Sequence, residues 1–92
     1  MKYIASWTLP YSTYREASAR FLQGGGLPLP AVKIIGRWHG MSGVGFAVVE
    51  SDDPKALFQW VAEWSDLFIV SLTPCLEDAD AGAVLMAMKA KA

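Results

Sequence analysis

Ninety-two residues, 53% of them hydrophobic, carry eight Lys and Arg against nine Asp and Glu, a net charge of −1. That balance lacks the basic footprint with which proteins hold nucleic acid or an anionic membrane, so neither is an expected partner. The length suits one domain over residues 1–92; so short a chain hides only about 60–65% of its unfolded surface, and the apolar surplus predicts a homodimer in which a second copy covers part of it.

Lys2 to Thr8 alternates loosely among aromatic and β-branched types and reads as a first strand, ended by Leu9-Pro10. Thr13 followed by Glu16 has capping-box spacing, and Tyr14, Ala17, Phe21 and Leu22 then share a helical stripe. Gly24-Gly25-Gly26 stops that helix, and Leu27-Pro28-Leu29-Pro30 is expected to be an extended connector. Val32 to His39 and Gly43 to Ser51 read as the second and third strands, joined by a turn at 40–42. Pairing His39 with Gly43 sets Trp38 opposite Val44, Gly36 opposite Phe46, Ile34 opposite Val48 and Val32 opposite Glu50 on one large, greasy face. The other face then pairs Arg37 with Gly45, Ile35 with Ala47 and Lys33 with Val49.

Asp53 as N-cap with Pro54 at the first helical position opens a second helix. Leu57, Trp60, Val61 and Trp64 recur at i, i+3, i+4 and i+7, which leaves Lys55, Gln59 and Glu63 to solvent. Leu67 to Cys75 is a fourth strand, with Phe68, Val70 and Leu72 on one face and Ile69, Ser71 and Thr73 on the other. Asp78 or Asp80 caps a terminal helix running to about Lys89, with Ala81, Leu85 and Met88 on a stripe. This order is ferredoxin-like: an α+β domain, βαββαβ with a C-terminal helix, built on a four-stranded antiparallel sheet. Helices cover one face of such a sheet. The bare face is expected to carry Ile35, Ala47 and Val49, with Ile4 or Ile69, and to be shielded by the twin subunit.

Cys75 is the single cysteine, so no intrachain disulfide or Cys-based zinc cage can form, and neither a metal nor another cofactor is expected. Met1 to Trp7 is too short, and too soon interrupted by Thr8, Pro10 and Tyr11, for a signal-peptide core. The longest uncharged stretch, Phe21 to Val32, is broken by glycines and prolines, so no membrane span is expected and a cytoplasmic location is.

Several short signatures occur in order: Met1-Lys2-Tyr3 with Trp7-Thr8, Gly36-Arg37-Trp38-His39, Gly43-x-Gly45-Phe46, Glu50-x-Asp52-Asp53-Pro54, Trp60-x3-Trp64 and Pro74-x-Leu76-Glu77-Asp78. Over nearly its whole length the chain resembles a small bacterial family, domain of unknown function 3303. The resemblance implies a dimeric α/β barrel, a superfamily of ferredoxin-like dimers that includes cofactor-free monooxygenases, stress-responsive barrel proteins and small-molecule binders. Fold likeness alone supplies no reaction.

His39 is the only imidazole and the best catalytic candidate, since a histidine side chain can exchange a proton with a ligand. Arg37 shares its strand face, and Gly43 and Gly45 opposite leave room for an anionic or aromatic ligand; equally, the glycines serve hairpin twist or close backbone approach. Trp7, Trp38, Trp60 and Trp64 are many for so short a chain and can wall a mostly apolar pocket. Core filling accounts for Trp60 and Trp64 equally well, because the stripe they occupy must be buried anyway. Glu50 would be an odd carboxylate if buried, though a strand-end residue usually reaches water. The expected ligand-binding set is Trp7, Arg37, Trp38, His39, Trp60 and Trp64, taking a small aromatic or hydrophobic molecule. Two alternatives stand beside it: a cofactor-independent monooxygenase acting on a phenolic substrate, and an assembly protein without a ligand.

Overall fold

Local sequence chemistry sets the elements, and the register between strands then decides which side chains meet. In a computed structural model that describes residues 1–26 and 30–91, strand β1 (Lys2–Thr8) leads through a 3-10 turn at Tyr11–Thr13 into helix α1 (Tyr14–Gly24). Strands β2 (Lys33–His39) and β3 (Val44–Glu50) follow, then helix α2 (Pro54–Trp64), strand β4 (Ile69–Cys75) and helix α3 (Asp78–Lys91). The sheet has the order β2-β3-β1-β4, with every neighbouring pair antiparallel. This is the ferredoxin-like α+β arrangement with a C-terminal helix. At 27–29 the connector expected from Leu27 to Pro30 lies outside the described residues. Among the described residues no helix is long and apolar enough to cross a membrane.

The two ends of α1 differ from and agree with the sequence expectation in turn. Thr13 makes no side-chain cap; its hydroxyl instead donates to the Leu67 carbonyl, tying the start of α1 to the approach of β4. At the other end Gly25 takes the left-handed conformation, φ 67°, and its N–H closes back on the Phe21 carbonyl at 2.6 Å, a geometry that a residue with a Cβ adopts at a cost. Leu22 stands out in solvent, so the buried stripe of α1 is Ala17 with Phe21. Helix α2 forms as its sequence dictates. Asp53 Oδ1 accepts from the Lys55 and Ala56 N–H groups at 3.0 and 3.2 Å, and Ala56, Leu57 and Trp60 are buried.

The hairpin register departs from the expected one. His39 pairs with Gly45, not Gly43; Trp38 with Phe46, Arg37 with Ala47 and Gly36 with Val48. Past Gly36 the ladder slips, and Ile34 pairs with Val49 because Ile35 is accommodated as a bulge. Plain alternation puts Ile34 and Trp38 on one face, but one extra residue between them reverses that parity. Ile34 therefore packs on the core side, with Arg37 and His39, while Trp38 faces away.

Strand β3 presents the reverse of the expected faces, with Ala47 and Val49 covered and Phe46 open, whereas Ile4, Ile35 and Ile69 are exposed as expected. Ala5, Ala47 and Val49, none more than 1% exposed, form the floor on which Leu57 and Trp60 of α2 pack. Ala47 and Val49 are monomer core, so Val49 is not available to a partner subunit. The open face carries Ile4, Trp38, Val44, Phe46 and Ile69, all at least 36% exposed, beside Ile35 of the bulge. Glu50 is exposed, in register with Lys33 on one side and Lys2 on the other, and is no buried carboxylate.

Helix α3 packs against none of the other elements and extends the molecule to 52 Å in its long direction. The expected stripe of Ala81, Leu85 and Met88 buries nothing, with Leu85 and Met88 both largely exposed. Its root is held by an ion pair between Lys2 and Glu77. That contact raises the Lys2 ammonium above its ordinary pKa and lowers the Glu77 carboxyl below its own.

Candidate functional site

Small residues on the covered face, Ala5, Gly45 and Ala47, set the helices against a shallow floor, and the large rings stand around it. Helices α1 and α2 leave between themselves and the sheet a cavity of about 320 Å³, at the lower end of the volumes that hold small ligands. Its walls are Trp7 of β1, Ala17 and Phe21 of α1, Trp60, Val61 and Trp64 of α2, and Phe68 and Val70 at β4. Three polar side chains reach it: Ser18, Arg37 and His39. The Ser18 hydroxyl is occupied, donating to the Tyr14 carbonyl at 2.8 Å.

The aromatic groups form a chain of contacts along the wall. Trp64 lies 5.4 Å from Phe68, Phe68 lies 6.2 Å from Trp7, and Trp7 meets the His39 imidazole edge-on at 6.0 Å. Phe21 approaches the same imidazole from the other side at 5.1 Å. Gly45 is what lets Trp7 lie there: a Cβ at that position would run into the indole ring. A tolerance read as free space opposite His39 is thus filled by Trp7.

Arg37 projects from β2 toward the end of α1. Its Nη1 donates to the Gly26 carbonyl and its Nη2 to the Gly25 carbonyl, each at 2.8 Å, and the guanidinium carbon sits 5.0 Å from the centre of the Phe21 ring. A second guanidinium, that of Arg20, lies 5.5 Å from the Trp64 ring. It is engaged otherwise: a two-pronged ion pair to Asp66 at 2.9 and 3.0 Å and a bond to the Glu63 carbonyl. The hydrogen bond from Arg20 holds the Asp66 carboxyl below the usual aspartate range.

Of the six residues singled out in the sequence, five line this cavity: Trp7, Arg37, His39, Trp60 and Trp64. Trp38 does not. It lies on the opposite face of the sheet, 61% exposed, with its ring over Gly36. Alternation along β2 accounts for this: Trp38 stands between Arg37 and His39 and so points to the other face. Phe21, Val61, Phe68 and Val70 also line the space without having been singled out. The first two were legible as neighbours of Ala17 and Trp60 on the helix stripes, but Phe68 joins the wall from a segment that precedes its strand.

Among the described residues no cluster of three or more His, Cys, Asp and Glu is placed to hold a metal ion. The profile of a family described as "Domain of unknown function (DUF3303)" matches residues 1–89, and the chain belongs to that family. No curated protein and no solved structure matches it.

Proposed function

We propose that this member of a family without an assigned activity binds a small molecule with a hydrophobic, ring-bearing body in the cavity beneath α1 and α2. The observation that carries the reading is the composition of the wall. Five aromatic side chains, Trp7, Phe21, Trp60, Trp64 and Phe68, surround the space, and its ionisable groups, Arg37 and His39, both come from β2. An apolar body with a few convergent polar points is the usual character of a small-molecule site. Titration with 2-naphthol, read as quenching of tryptophan fluorescence, tests it. Saturable quenching is expected, abolished by Val61→Trp, which fills the cavity, and kept in Trp38→Phe, which changes only the other face. Quenching that survives Val61→Trp would remove the cavity as the site.

The protein acts as a homodimer in this reading. Supporting it are the open apolar face, with Ile4, Trp38, Phe46 and Ile69 uncovered, and the resemblance to dimeric α/β barrels. Contiguous apolar patches of this kind on one side of a protein mark interaction surfaces. The position of His39 favours a second reading, a cofactor-independent monooxygenase. There the exposed imidazole at the cavity wall accepts the proton of an electron-rich phenol, and dioxygen then oxidises the phenolate. Oxygen uptake with such a phenol, lost in His39→Ala, is the expected result; uptake unchanged in that variant would exclude His39 from the step.

A further inference from the structure

The two arginines near the cavity differ in what balances their charge. Arg20 faces a carboxylate, Asp66, and is neutralised by it. Arg37 faces only the carbonyls of Gly25 and Gly26, and among the described residues no carboxylate lies within ion-pair distance of it. Carbonyl oxygens at the C-terminal end of α1 offset part of a positive charge, roughly half a unit for a whole helix terminus, so a net positive field remains. Among the described residues no Asp or Glu lines the cavity. Guanidinium has five N–H donors; two are spent on the turn, and among the described residues the others meet no acceptor, at the edge of an aromatic-walled space.

We infer that the ligand of this cavity is an anion, an aromatic or otherwise hydrophobic carboxylic acid whose carboxylate is received by Arg37 beside His39. The inference rests on the cavity being the binding site and adds the charge of what enters it. The ring system of the ligand lies among Trp7, Trp64 and Phe68, and the carboxylate takes the free edge of the guanidinium. Phe21 stacks under the guanidinium and edges the imidazole, so it holds both polar groups on the same wall. His39 has no hydrogen-bond partner among the described residues, which leaves its ring N–H available to the second carboxylate oxygen. Charge-assisted bonds of this sort, made where water is partly excluded, are stronger than neutral ones and directional.

Paired ligands of one shape decide the matter. 1-Naphthoate and its neutral isostere 1-naphthamide are titrated into the full chain at pH 7, with tryptophan fluorescence as the readout. Naphthoate is expected to bind at least about tenfold more tightly than the amide. Arg37→Gln removes that preference, weakening naphthoate by more than it weakens the amide; Arg37→Lys, which keeps the charge without the fork, retains part of it. Should Arg37→Gln fail to fold because the turn at Gly25 and Gly26 is lost, the comparison in the wild-type chain and in Arg37→Lys still decides. Equal affinity for the two compounds, or tighter binding of the amide, overturns the anion assignment while leaving the ring-binding cavity intact. Binding of neither compound overturns the cavity reading and this inference with it.

Discussion

The two faces of the sheet are both apolar and yet are built on opposite principles of size. On the covered face the middle of the sheet contributes little bulk, Ala5, Gly45, Ala47 and Val49, its larger side chains, Tyr3, Trp7, Ile34 and Leu72, stand around that floor, and α2 brings Leu57 and Trp60 onto it. On the open face the sheet itself carries the bulk, Ile4, Trp38, Phe46 and Ile69, and among the described residues nothing covers it. Hydrophobicity alone therefore does not tell which side receives the helices. Side-chain size does, because helix axes need to approach within about 10 Å of the strand plane to exclude water, and a floor of small residues permits that approach. Where the fit between small floor and large rings is incomplete, space is left over, and that space is the cavity.

The comparison is broken most severely by a charge placed on each face in turn. Val49→Asp buries an unpaired carboxylate under α2 at a fully enclosed position, and the expected loss is above about 4 kcal/mol, a large share of the stability of a small domain. A circular-dichroism melt near the wild-type temperature would contradict its place in the core. Phe46→Asp, on the open face, is expected to alter the unfolding free energy of the single chain by less than about 1 kcal/mol. Its effect is on assembly: sedimentation at micromolar concentration should shift from the dimer to the single chain. A wild-type chain that already sediments as a monomer would deny the open face its twin.

The smallest effect sharpens the picture at the rim of the cavity. Arg20 lowers the Asp66 pKa in the folded chain, so the pair stabilises folding above the ordinary aspartate value of about 3.9 and loses that contribution as the pH falls through the lower, folded-state value. Both groups are exposed enough for solvent to screen the pair. Asp66→Asn should thus reduce the melting temperature slightly at pH 7 and leave it unchanged near pH 2. A deficit of equal size at both values would mean that packing on Trp64, and not charge, is what Asp66 supports.

How much of this was legible in the sequence depended on whether one local rule governed each segment. In α2 the Asp53 cap, Pro54 and the stripe from Leu57 to Trp64 all express a single helix geometry, and the structure follows them residue by residue. In β4 alternation likewise separates Val70 and Leu72 from Ile69 and Ser71. Strand β2 obeys two rules, alternation and a bulge, and nothing in Ile34-Ile35-Gly36 announces which residue is supernumerary. That one ambiguity misplaced Ile34, which was grouped with Trp38; Trp38 itself shares a face with Phe46 as expected, and only the side that the helices cover was assigned the wrong way round. Thr13 and Glu16 carried a capping pattern, but a tertiary partner, the Leu67 carbonyl, took the hydroxyl instead. Helix α3 shows the converse limit. Its composition of Ala, Met and acidic residues favours a helix whatever lies beside it, so its existence could be read while its lack of a packing partner could not.

The bulge at Ile35 also sets what changes in chain length β2 will bear. Because Ile34 and Gly36 already face the consecutive partners Val49 and Val48, the strand behaves as though Ile35 were a spare link. Excising it would close the ladder into uninterrupted pairing and leave the guanidinium two places along still directed inward. Adding a link beside it would leave two supernumerary residues, and alternation would then keep the guanidinium inward only by sliding it from Ala47 to Gly45, against the indole that lies there. At this point the fold tolerates subtraction and penalises addition.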